Sequence, residues 1–120
     1  MHKFRKLKVW QKGMEFVALV YRVSSKYPKS ELFGLTDQIR RAAVSVALSI
    51  AEGSGSGSDP EFNRFLKISL RSGYEVITAA EIAIMLNYGI KEENQSIIEK
   101  ADELGAMITG LMKTLKKSDS

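Results

Sequence analysis

The sequence predicts an all-α protein, a single antiparallel four-helix bundle with up-and-down topology and short loops. Two observations carry this prediction. Apolar residues recur at helical spacing in four separate segments, and no segment alternates apolar and polar residues over the length of a strand. With 120 residues, 44% of them apolar and 27% charged, the chain suits one globular domain, which we place at residues 1–120.

The first helix is predicted at residues 7–27. Its apolar stripe, which we expect to face the core, consists of Trp10, Met14, Val17 and Tyr21. The helix should end before Pro28, because the residue before a proline disfavours the α conformation. The loop that follows carries three residues apolar enough to cap the end of the core, namely Leu32, Phe33 and Leu35.

The second helix is predicted at residues 36–53. Its inward stripe consists of Ile39, Ala43, Val46 and Ile50. Alanines beside this stripe should let a neighbouring helix approach closely. Thr36 is the expected N-cap, and Gly53 is the expected left-handed residue that stops the helix.

The third helix is predicted at residues 59–88 and the fourth at residues 92–117. Either Ser58 or Asp59 can cap the third helix, and Pro60 is tolerated in its first turn. The apolar positions of the fourth helix alternate between spacings of four and three, which is typical of a coiled-coil seam. They are Ile97, Ala101, Leu104, Ile108, Leu111 and Leu115.

A glycine–serine run, GSGSGS at residues 53–58, separates the second helix from the third. A Walker phosphate-binding loop needs a lysine after its glycines, and none follows here. A dinucleotide-binding loop needs a preceding strand and a third glycine where Ser58 stands. We therefore interpret the run as a helix–helix turn. Anion binding by the free amides at the start of the third helix is the open alternative.

Composition argues against catalysis and metal binding. The chain has no cysteine, which excludes disulfides and thiolate metal sites, and His2 is its only histidine. Four carboxylates could pair as in di-metal bundles, but no Glu-x-x-His motif accompanies Glu15, Glu52, Glu75 and Glu81. We expect no enzyme activity, no cofactor and no metal.

The sequence also lacks a long apolar run and a signal peptide, which predicts a soluble cytoplasmic protein without a membrane partner.

Positive charge is concentrated in the first part of the sequence. Residues 1–71 hold 13 Lys and Arg against 6 Asp and Glu, whereas residues 72–120 hold 5 against 8. An imbalance of this kind can make a basic face for an acidic partner, or it can be an accidental asymmetry of a solvated surface. The sequence leaves both interpretations open.

Basic residues in three groups are candidates for binding nucleic acid. They are Lys3, Arg5, Lys6, Lys8, Lys12, Arg40, Arg41, Arg64, Lys67 and Arg71. Phe4 and Trp10 lie among the N-terminal members, as a base-stacking surface would require, although we favour the core for Trp10. The residues at 64, 67 and 71 form a stripe on the third helix that could track phosphates or be a solvated face.

Arg40 and Arg41 are adjacent, so they point about 100° apart on a helix and cannot both face the core. We expect one of them to pair with an acid such as Glu52 or Glu75. The other is then exposed. Structural ion pairing and partner binding both remain open for this pair.

Three segments of the sequence together resemble one protein family: KVWQKGMEF, YPKSELFGLTDQIRRAAVSVALSIAEG and SDPEFNRFLKISLRS. They are similar to the four-helix-bundle proteins encoded in intervening sequences of bacterial large-subunit ribosomal RNA genes. The combination of Q-x-R-R-A, A-E-G and F-x-x-F-L is specific, and the resemblance covers roughly residues 4–90. The fourth helix agrees in pattern only. The chain departs from the family at Ser49, where asparagine is usual, and in its loop, which lacks the usual basic residue.

The resemblance implies a homo-oligomer, typically a pentameric ring, without enzymatic activity. It also implies kinship with accessory proteins of diversity-generating retroelements, basic pentamers that bind a reverse transcriptase and its RNA. Together with the basic residues, this predicts an oligomeric nucleic-acid-binding protein, RNA being favoured, that serves as a ribonucleoprotein scaffold. The alternative is an adaptor whose ring presents helix faces to a polypeptide such as a reverse transcriptase, without nucleic acid contact.

The first and third helices carry more apolar residues than one bundle needs. A four-helix monomer requires about three apolar positions in seven on each helix, and both helices exceed this fraction. The surplus predicts an oligomer interface that contains Phe16, Leu19, Val20, Val23, Phe65, Ile68, Leu70 and Ile84. Because the surplus lies on two different surfaces, a head-to-tail contact that closes into a ring would cover both.

Overall fold

The computed structural model describes residues 3–118. Its elements are, in chain order, a 3₁₀ turn at Lys3–Lys6, helix α1 at Lys8–Ser24, a 3₁₀ turn at Lys29–Glu31, helix α2 at Leu35–Ser54, helix α3 at Asp59–Met85 and helix α4 at Lys91–Ser118. No strand occurs within residues 3–118. The predicted all-α four-helix fold is therefore confirmed.

The four helices form an antiparallel up-and-down bundle. Each helix packs against its neighbour in the chain, and α1 closes the bundle by packing against α4. The described backbones of diagonal helices lie farther apart, with the core side chains between them. The molecule is 48 Å long, so it has two well-separated ends. The Gly–Ser end holds the α2–α3 loop, the start of α1 and the end of α4. The Phe33 end holds the α1–α2 and α3–α4 loops.

Helix α1 turns a different face to the core from the one predicted. Its buried residues are Val9, Gly13, Phe16, Val20, Val23 and Ser24. From the predicted stripe, Met14 is 46% exposed and Tyr21 is 43% exposed. Trp10 and Val17 are half-buried against the edge of the core. The predicted face is wrong because two apolar series run along this helix one position apart, and spacing alone does not choose between them.

Three residues assigned to an oligomer interface lie instead inside the bundle. Phe16, Val20 and Val23 are each at most 3% exposed. They face the core from the same side as Gly13, where an added Cβ would lie 3.7 Å from Ala47 of α2, in ordinary van der Waals contact. The apolar surplus of α1 is thus used within one bundle, and this part of the interface prediction is wrong. Leu19 is half-buried beside the core.

Helices α2 and α3 form the most extensive helix–helix contact of the bundle. Two serines of α3 make hydrogen bonds across it. Ser69 Oγ donates to the Val46 carbonyl at 2.9 Å, and Ser72 Oγ donates to Ser45 Oγ at 2.8 Å. Alanines and serines line this seam, so the two helices approach closely and the buried hydroxyls find partners across it.

Gly53 has a different role from the predicted left-handed stop. Helix α2 continues through Gly53 to Ser54. An added Cβ at Gly53 would lie 2.8 Å from atoms of both Phe62 and Phe65, closer than a carbon contact allows. Glycine is required here for the close approach of α3. The left-handed residue of the turn is Gly57, with a φ of 90°.

The cap of α2 differs from the prediction, whereas α3 is capped by one of the two predicted residues. Helix α2 begins one residue before Thr36, and the Leu35 amide donates to Glu31 Oε1 at 2.9 Å. Thr36 is therefore not the N-cap. Ser58 caps α3, since its Oγ accepts a hydrogen bond from the Glu61 amide at 3.2 Å. The glycine–serine run accordingly forms a helix–helix turn.

A buried polar contact closes the Phe33 end. Tyr27 Oη donates to Asn94 Oδ1 at 2.6 Å, and Asn94 Nδ2 donates to the Tyr88 carbonyl at 2.9 Å. Asn94 is fully buried, so these bonds satisfy polar groups that water does not reach. Burial raises the pKa of Tyr27 to about 12. The contact joins the segment after α1 to both α4 and the α3–α4 loop.

Candidate nucleic-acid interface

The fold gathers two of the three predicted basic groups at one end. The N-terminal group lies on the first 3₁₀ turn and the start of α1, and residues 64–71 lie in the first turns of α3. Both groups are at the Gly–Ser end because α1 and α3 run in the same direction, on diagonally opposite corners of the bundle. Arg40 and Arg41 lie near the start of α2, toward the Phe33 end. The three groups therefore do not form one surface.

Charge is uneven along the axis of the bundle. The half at the Gly–Ser end, residues 3–16, 45–72 and 105–115, carries nine basic and four acidic side chains. The half at the Phe33 end, residues 17–44 and 73–104, carries seven basic and nine acidic side chains. The antiparallel topology thus converts an imbalance between two parts of the sequence into a charge polarity of the folded molecule.

The basic side chains at the start of the chain are exposed to solvent and available to a ligand. We call Lys3, Arg5, Lys6 and Lys8 the N-terminal cluster. All four are exposed, and none of them forms a salt bridge with a carboxylate in residues 3–115. Lys12, the fifth predicted member, pairs with Glu15 at 3.5 Å. Gln11 Nε2 donates to the Arg5 carbonyl at 2.8 Å, which holds the 3₁₀ turn against α1.

The start of α1 adds to the positive potential of the N-terminal cluster. No described side chain caps this helix, and its first turn contains no acidic residue. The start of α3, at the same end of the bundle, is capped by Ser58 and carries Asp59 and Glu61 in its first turn. A helix N-terminus holds a partial positive charge. In α3 this charge is neutralised by the acidic residues of its first turn, whereas in α1 no acidic residue compensates it.

An aromatic pair lies within the N-terminal cluster. The rings of Phe4 and Trp10 meet edge to face, with 5.0 Å between their centroids. Trp10 packs against the core from its edge, in agreement with the interpretation of this residue as part of the core. Phe4 belongs to the 3₁₀ turn and is half-buried outside the core. The pair therefore connects the basic cluster to the rigid part of the bundle.

The basic stripe on α3 is partly neutralised within its own helix. Arg64 Nε donates to Glu61 Oε1 at 3.0 Å, and Arg64 Nη2 donates to Glu61 Oε2 at 3.1 Å. Hydrogen bonding by Arg64 holds the pKa of the Glu61 carboxyl below its ordinary value. The Arg64 guanidinium also lies 4.5 Å from the ring centroid of Phe65. Lys67 and Arg71 are exposed and form no salt bridge with any described residue, so they remain available to a ligand.

Arg40 and Arg41 take part in contacts within the bundle. Arg40 Nε donates to Ser24 Oγ at 2.8 Å, and its guanidinium lies 4.7 Å from the ring centroid of Tyr21. It thereby covers the C-terminal end of α1, where a cation is favourable. Arg41 Nε pairs with Asp37 at 3.0 Å on the surface. One of the two arginines thus pairs with an acid as expected, but the acid is Asp37 and not Glu52 or Glu75. Arg40 makes its contacts within the bundle.

The remaining interface candidates are half-buried. Phe65 and Ile68 line a groove on the outer side of α2, together with the exposed side chains of Tyr21 and Leu48. Leu70 lines a different groove, between α3 and α4, and Ile84 is half-buried in α3. Their assignment to an oligomer interface stays a prediction.

An apolar surface at the Phe33 end was not predicted. Phe33 is 93% exposed instead of capping the core, and the other large apolar side chains exposed at this end are Leu32, Met85, Leu86 and Ile90. Tyr88 Oη donates to Glu31 Oε2 at 3.2 Å and joins the two loops that carry them. The sequence signal was the density of apolar residues in both loops, but its interpretation required the knowledge that the loops lie side by side.

Comparison with known proteins identifies the family. The sequence matches the profile of the 23S rRNA-intervening sequence protein family over residues 5–110. The chain belongs to this family. The match reaches well into α4, beyond residues 4–90, which hold the motifs of the family. A comparison with curated protein sequences gives no significant match.

A solved structure shares the fold of this 23S rRNA-intervening sequence protein. It is a protein of unknown function from the S23 ribosomal protein family of Bacteroides thetaiotaomicron. The TM-score is 0.78 at 24% sequence identity, and the alignment covers 88% of this chain and 98% of that chain. At this identity the likeness supports the fold alone.

Two further properties of the intervening sequence protein concern other kinds of site. In the described part of the chain, no three His, Cys, Asp or Glu side chains come together in a way that could hold a metal ion. No helix within residues 3–118 is long and apolar enough to cross a membrane.

Proposed function

We propose that the chain is a non-enzymatic, oligomeric nucleic-acid-binding protein that prefers RNA and serves as a ribonucleoprotein scaffold in the cytoplasm. The observation that carries this proposal is the N-terminal cluster, whose exposed cations pair with no described carboxylate and lie at a helix start that no described side chain caps. Such cations repel one another. A polyanion that neutralises them gains electrostatic energy and releases its counterions.

Two further observations support this ligand. Lys67 and Arg71 lie at the same end of the bundle and extend the available positive charge from α1 to the opposite corner. The family is named for proteins of 23S rRNA intervening sequences, which favours RNA over other polyanions. The ligand we propose therefore spans the Gly–Ser end rather than one helix face.

A filter-binding titration of the whole chain with RNA tests the proposal. The N-terminal cluster together with Lys67 and Arg71 offers six cations. If each contacts one phosphate, the logarithm of the binding constant should fall with the logarithm of salt concentration with a slope of about −4 to −5. Absence of binding at about 50 mM salt would exclude the proposal.

We also propose that copies of the chain assemble into a closed homo-oligomer, the pentamer that the family resemblance implies. The surplus apolar residues Phe16, Val20 and Val23 of α1 are buried within one bundle. The support for assembly therefore comes from apolar side chains that remain exposed on the surface of the bundle. Leu48 is 53% exposed in the groove that Phe65 and Ile68 also line, and such apolar surfaces usually mark interfaces. Light scattering should give about five times the 13.4 kDa chain mass. A monomer would contradict assembly, whereas a dimer or tetramer would reject only the ring size.

The second candidate function is a protein–protein adaptor. The observation that favours it is the Phe33 end, where both loops carry exposed large apolar side chains and Phe33 itself is 93% exposed. The polypeptide partner would then dock on this end without nucleic acid contact. A reverse transcriptase is the partner that the resemblance to retroelement accessory proteins suggests.

A pull-down from native cells, performed with and without nuclease, separates the two functions. Partners that bind through the Gly–Ser end by way of RNA should be lost after nuclease treatment. Partners that dock directly on the Phe33 end should be retained, and they should be lost when Phe33 is replaced by serine. Retention of every partner after nuclease treatment would favour the adaptor.

A further inference from the structure

Three large apolar side chains are exposed on the outer side of α1 and α2. Met14 and Tyr21 lie about two turns apart on α1, which places them on the same side of that helix. Tyr21 and Leu48 of α2 line one groove, and all three side chains are close to half exposed. We call these three residues the Leu48 face. A group of neighbouring exposed apolar side chains is typical of an interaction surface.

The opposite side of the bundle, formed by α3 and α4, carries a cleft of about 460 Å³. Buried core side chains, among them Leu104 and Ile108, line this cleft. Gly73, Gly105 and Gly110 line it as well, and at Gly73 and Gly110 no described atom lies within 4 Å of an added Cβ. We call it the glycine cleft. One side of the bundle thus exposes large apolar side chains, and the opposite side offers open space above apolar ones.

Charges beside the two surfaces follow complementary patterns. Arg41 and Glu52 of α2 line the groove of the Leu48 face and are eleven residues apart. Asp102 and Lys113 of α4 line the glycine cleft and are also eleven residues apart. Eleven residues are about three turns, or about 16 Å, so each pair lies on one side of its helix. Because α2 and α4 run in the same direction, two parallel copies can place each acid opposite a base.

The register that pairs these charges also brings the apolar surfaces together. Leu48 lies four residues before Glu52, and Gly110 lies three residues before Lys113. When Glu52 of one copy meets Lys113 of the neighbouring copy, Leu48 therefore lies opposite Gly110, where the absence of a Cβ leaves room for its side chain. Glu52 and Lys113 are exposed and form no salt bridge with a described residue, so both are available for this contact.

We propose that the Leu48 face of one copy packs into the glycine cleft of a second, parallel copy of the chain. This inference rests on the proposed homo-oligomer and names the two surfaces that form it. The apolar side chains supply buried area, and the charges at the rim fix the orientation. Because the contact joins two different surfaces, each copy keeps one surface for the next copy, and assembly ends when the ring closes.

Two variants of the whole chain each block one surface. Leu48→Asp places a carboxylate in the Leu48 face, and Gly110→Gln fills part of the glycine cleft with a polar side chain. Each should raise the dissociation constant of the contact by at least about a hundredfold and give monomers in light scattering at micromolar concentration. Leu86→Asp is the matched control, since Leu86 is similarly exposed but lies at the Phe33 end, and it should assemble like the wild type. Circular dichroism shows whether each variant keeps its helices.

Mixing the two blocked variants tests whether the contact joins these two surfaces. Leu48→Asp keeps an intact cleft, and Gly110→Gln keeps an intact Leu48 face. The equimolar mixture should therefore form a 1:1 dimer of about twice the 13.4 kDa chain mass. Growth should stop at the dimer because its two remaining surfaces are blocked. A contact between two identical surfaces would not produce this dimer.

An exchange of charges tests the register with exposed residues only. Glu52→Lys should weaken assembly about tenfold, because the new lysine faces Lys113 of the neighbouring copy. Adding Lys113→Glu to the same chain should restore assembly. Unchanged assembly of Glu52→Lys, or no restoration in the double variant, overturns the parallel register.

The outcomes separate this inference from the assembly on which it rests. Monomers in each blocked variant and a dimer in their mixture support the inference. Wild-type assembly of either blocked variant, or monomers in the mixture, overturns the contact and leaves the homo-oligomer intact. A monomeric wild-type protein overturns both.

Discussion

The two ends of the bundle treat charge in opposite ways. At the Phe33 end, three of the cations have intramolecular partners. Lys26 pairs with Glu93 at 2.9 Å, Arg41 pairs with Asp37 at 3.0 Å, and Arg40 covers the end of α1. At the Gly–Ser end, the four cations of the N-terminal cluster form no salt bridge with any carboxylate in residues 3–115.

The two ends also treat apolar side chains in opposite ways. At the Gly–Ser end, Phe62 and Phe65 pack so closely on Gly53 that no side chain fits there. At the Phe33 end, Phe33 and Met85 are 93% and 70% exposed. Among the described residues, the Gly–Ser end thus holds a cluster of four cations without salt bridges, and the Phe33 end holds the most exposed large apolar side chains. The difference favours two kinds of partner, a polyanion at the Gly–Ser end and an apolar protein surface at the Phe33 end.

The largest effect should come from reversing charge at the Gly–Ser end. The triple variant Lys3→Glu, Arg5→Glu and Lys8→Glu should weaken RNA binding by at least about a hundredfold near physiological salt, because three phosphate contacts become repulsive. Its matched control reverses three exposed cations of the other half, Arg22, Lys29 and Lys91. If both triple variants bind RNA equally well in a filter assay, the proposed specialisation of the two ends is wrong.

The next effect concerns packing at the Gly–Ser end. Gly53→Ala should lower the free energy of unfolding by about 1–3 kcal/mol, because the added methyl group clashes with Phe62 and Phe65. Gly73→Ala on α3 is the matched control, since nothing lies within 4 Å of an added Cβ there. It should raise the free energy of unfolding by about 0.5–1 kcal/mol. Urea denaturation measures both, and equal effects would contradict the close approach of α3 at Gly53.

Substitutions in the basic stripe of α3 should have a smaller effect on RNA binding. Arg64 in this stripe pairs with Glu61, whereas Lys67 and Arg71 form no salt bridge with a described residue. Lys67→Glu together with Arg71→Glu should weaken RNA binding about tenfold, because both side chains are available to phosphates. Arg64→Gln should change the affinity less than about threefold, since Arg64 already pairs with Glu61. Neither variant should shift stability by more than about 0.5 kcal/mol per substitution. Stronger loss in Arg64→Gln would show that the ion pair opens on binding.

The smallest effect on stability should come from the most exposed aromatic residue. Phe33→Ser should leave the free energy of unfolding within about 0.5 kcal/mol of the wild type, because its ring contributes little buried area. The same variant should reduce capture of protein partners in the pull-down. A stability loss of several kcal/mol, measured by urea denaturation, would mean that Phe33 is covered in the isolated protein.

The sequence was sufficient for the fold but not for the orientation of its helices. Four amphipathic segments and short connections leave few arrangements besides an up-and-down bundle. In α1, however, Phe16 and Val20 and the neighbouring Val17 and Tyr21 form equally regular apolar series. Burial was decided by the partner helix, where α2 approaches α1 at Gly13. Periodicity within one helix does not contain that information.

The candidate site was predictable residue by residue but not as a surface. The basic residues were recognisable from their types and spacing, yet their availability depends on acids that only the fold brings near. Arg41 pairs one turn away with Asp37, whereas Lys67 has no such pairing within the described residues. The apolar Phe33 end likewise depends on two loops that are far apart in sequence.

The seam between α2 and α3 also determines how the molecule should fluctuate. Its serines, Ser69 and Ser72, bond across the interface, and its small side chains keep the two backbones close. Amide hydrogens in the middle of α2 and α3 should thus exchange with solvent only through global unfolding. Helices α1 and α4 are separated along part of their length by an open groove between Leu19 and Met107. Their amides should exchange sooner, through local opening of that seam, so the α2–α3 hairpin is the unit expected to persist longest as the bundle comes apart.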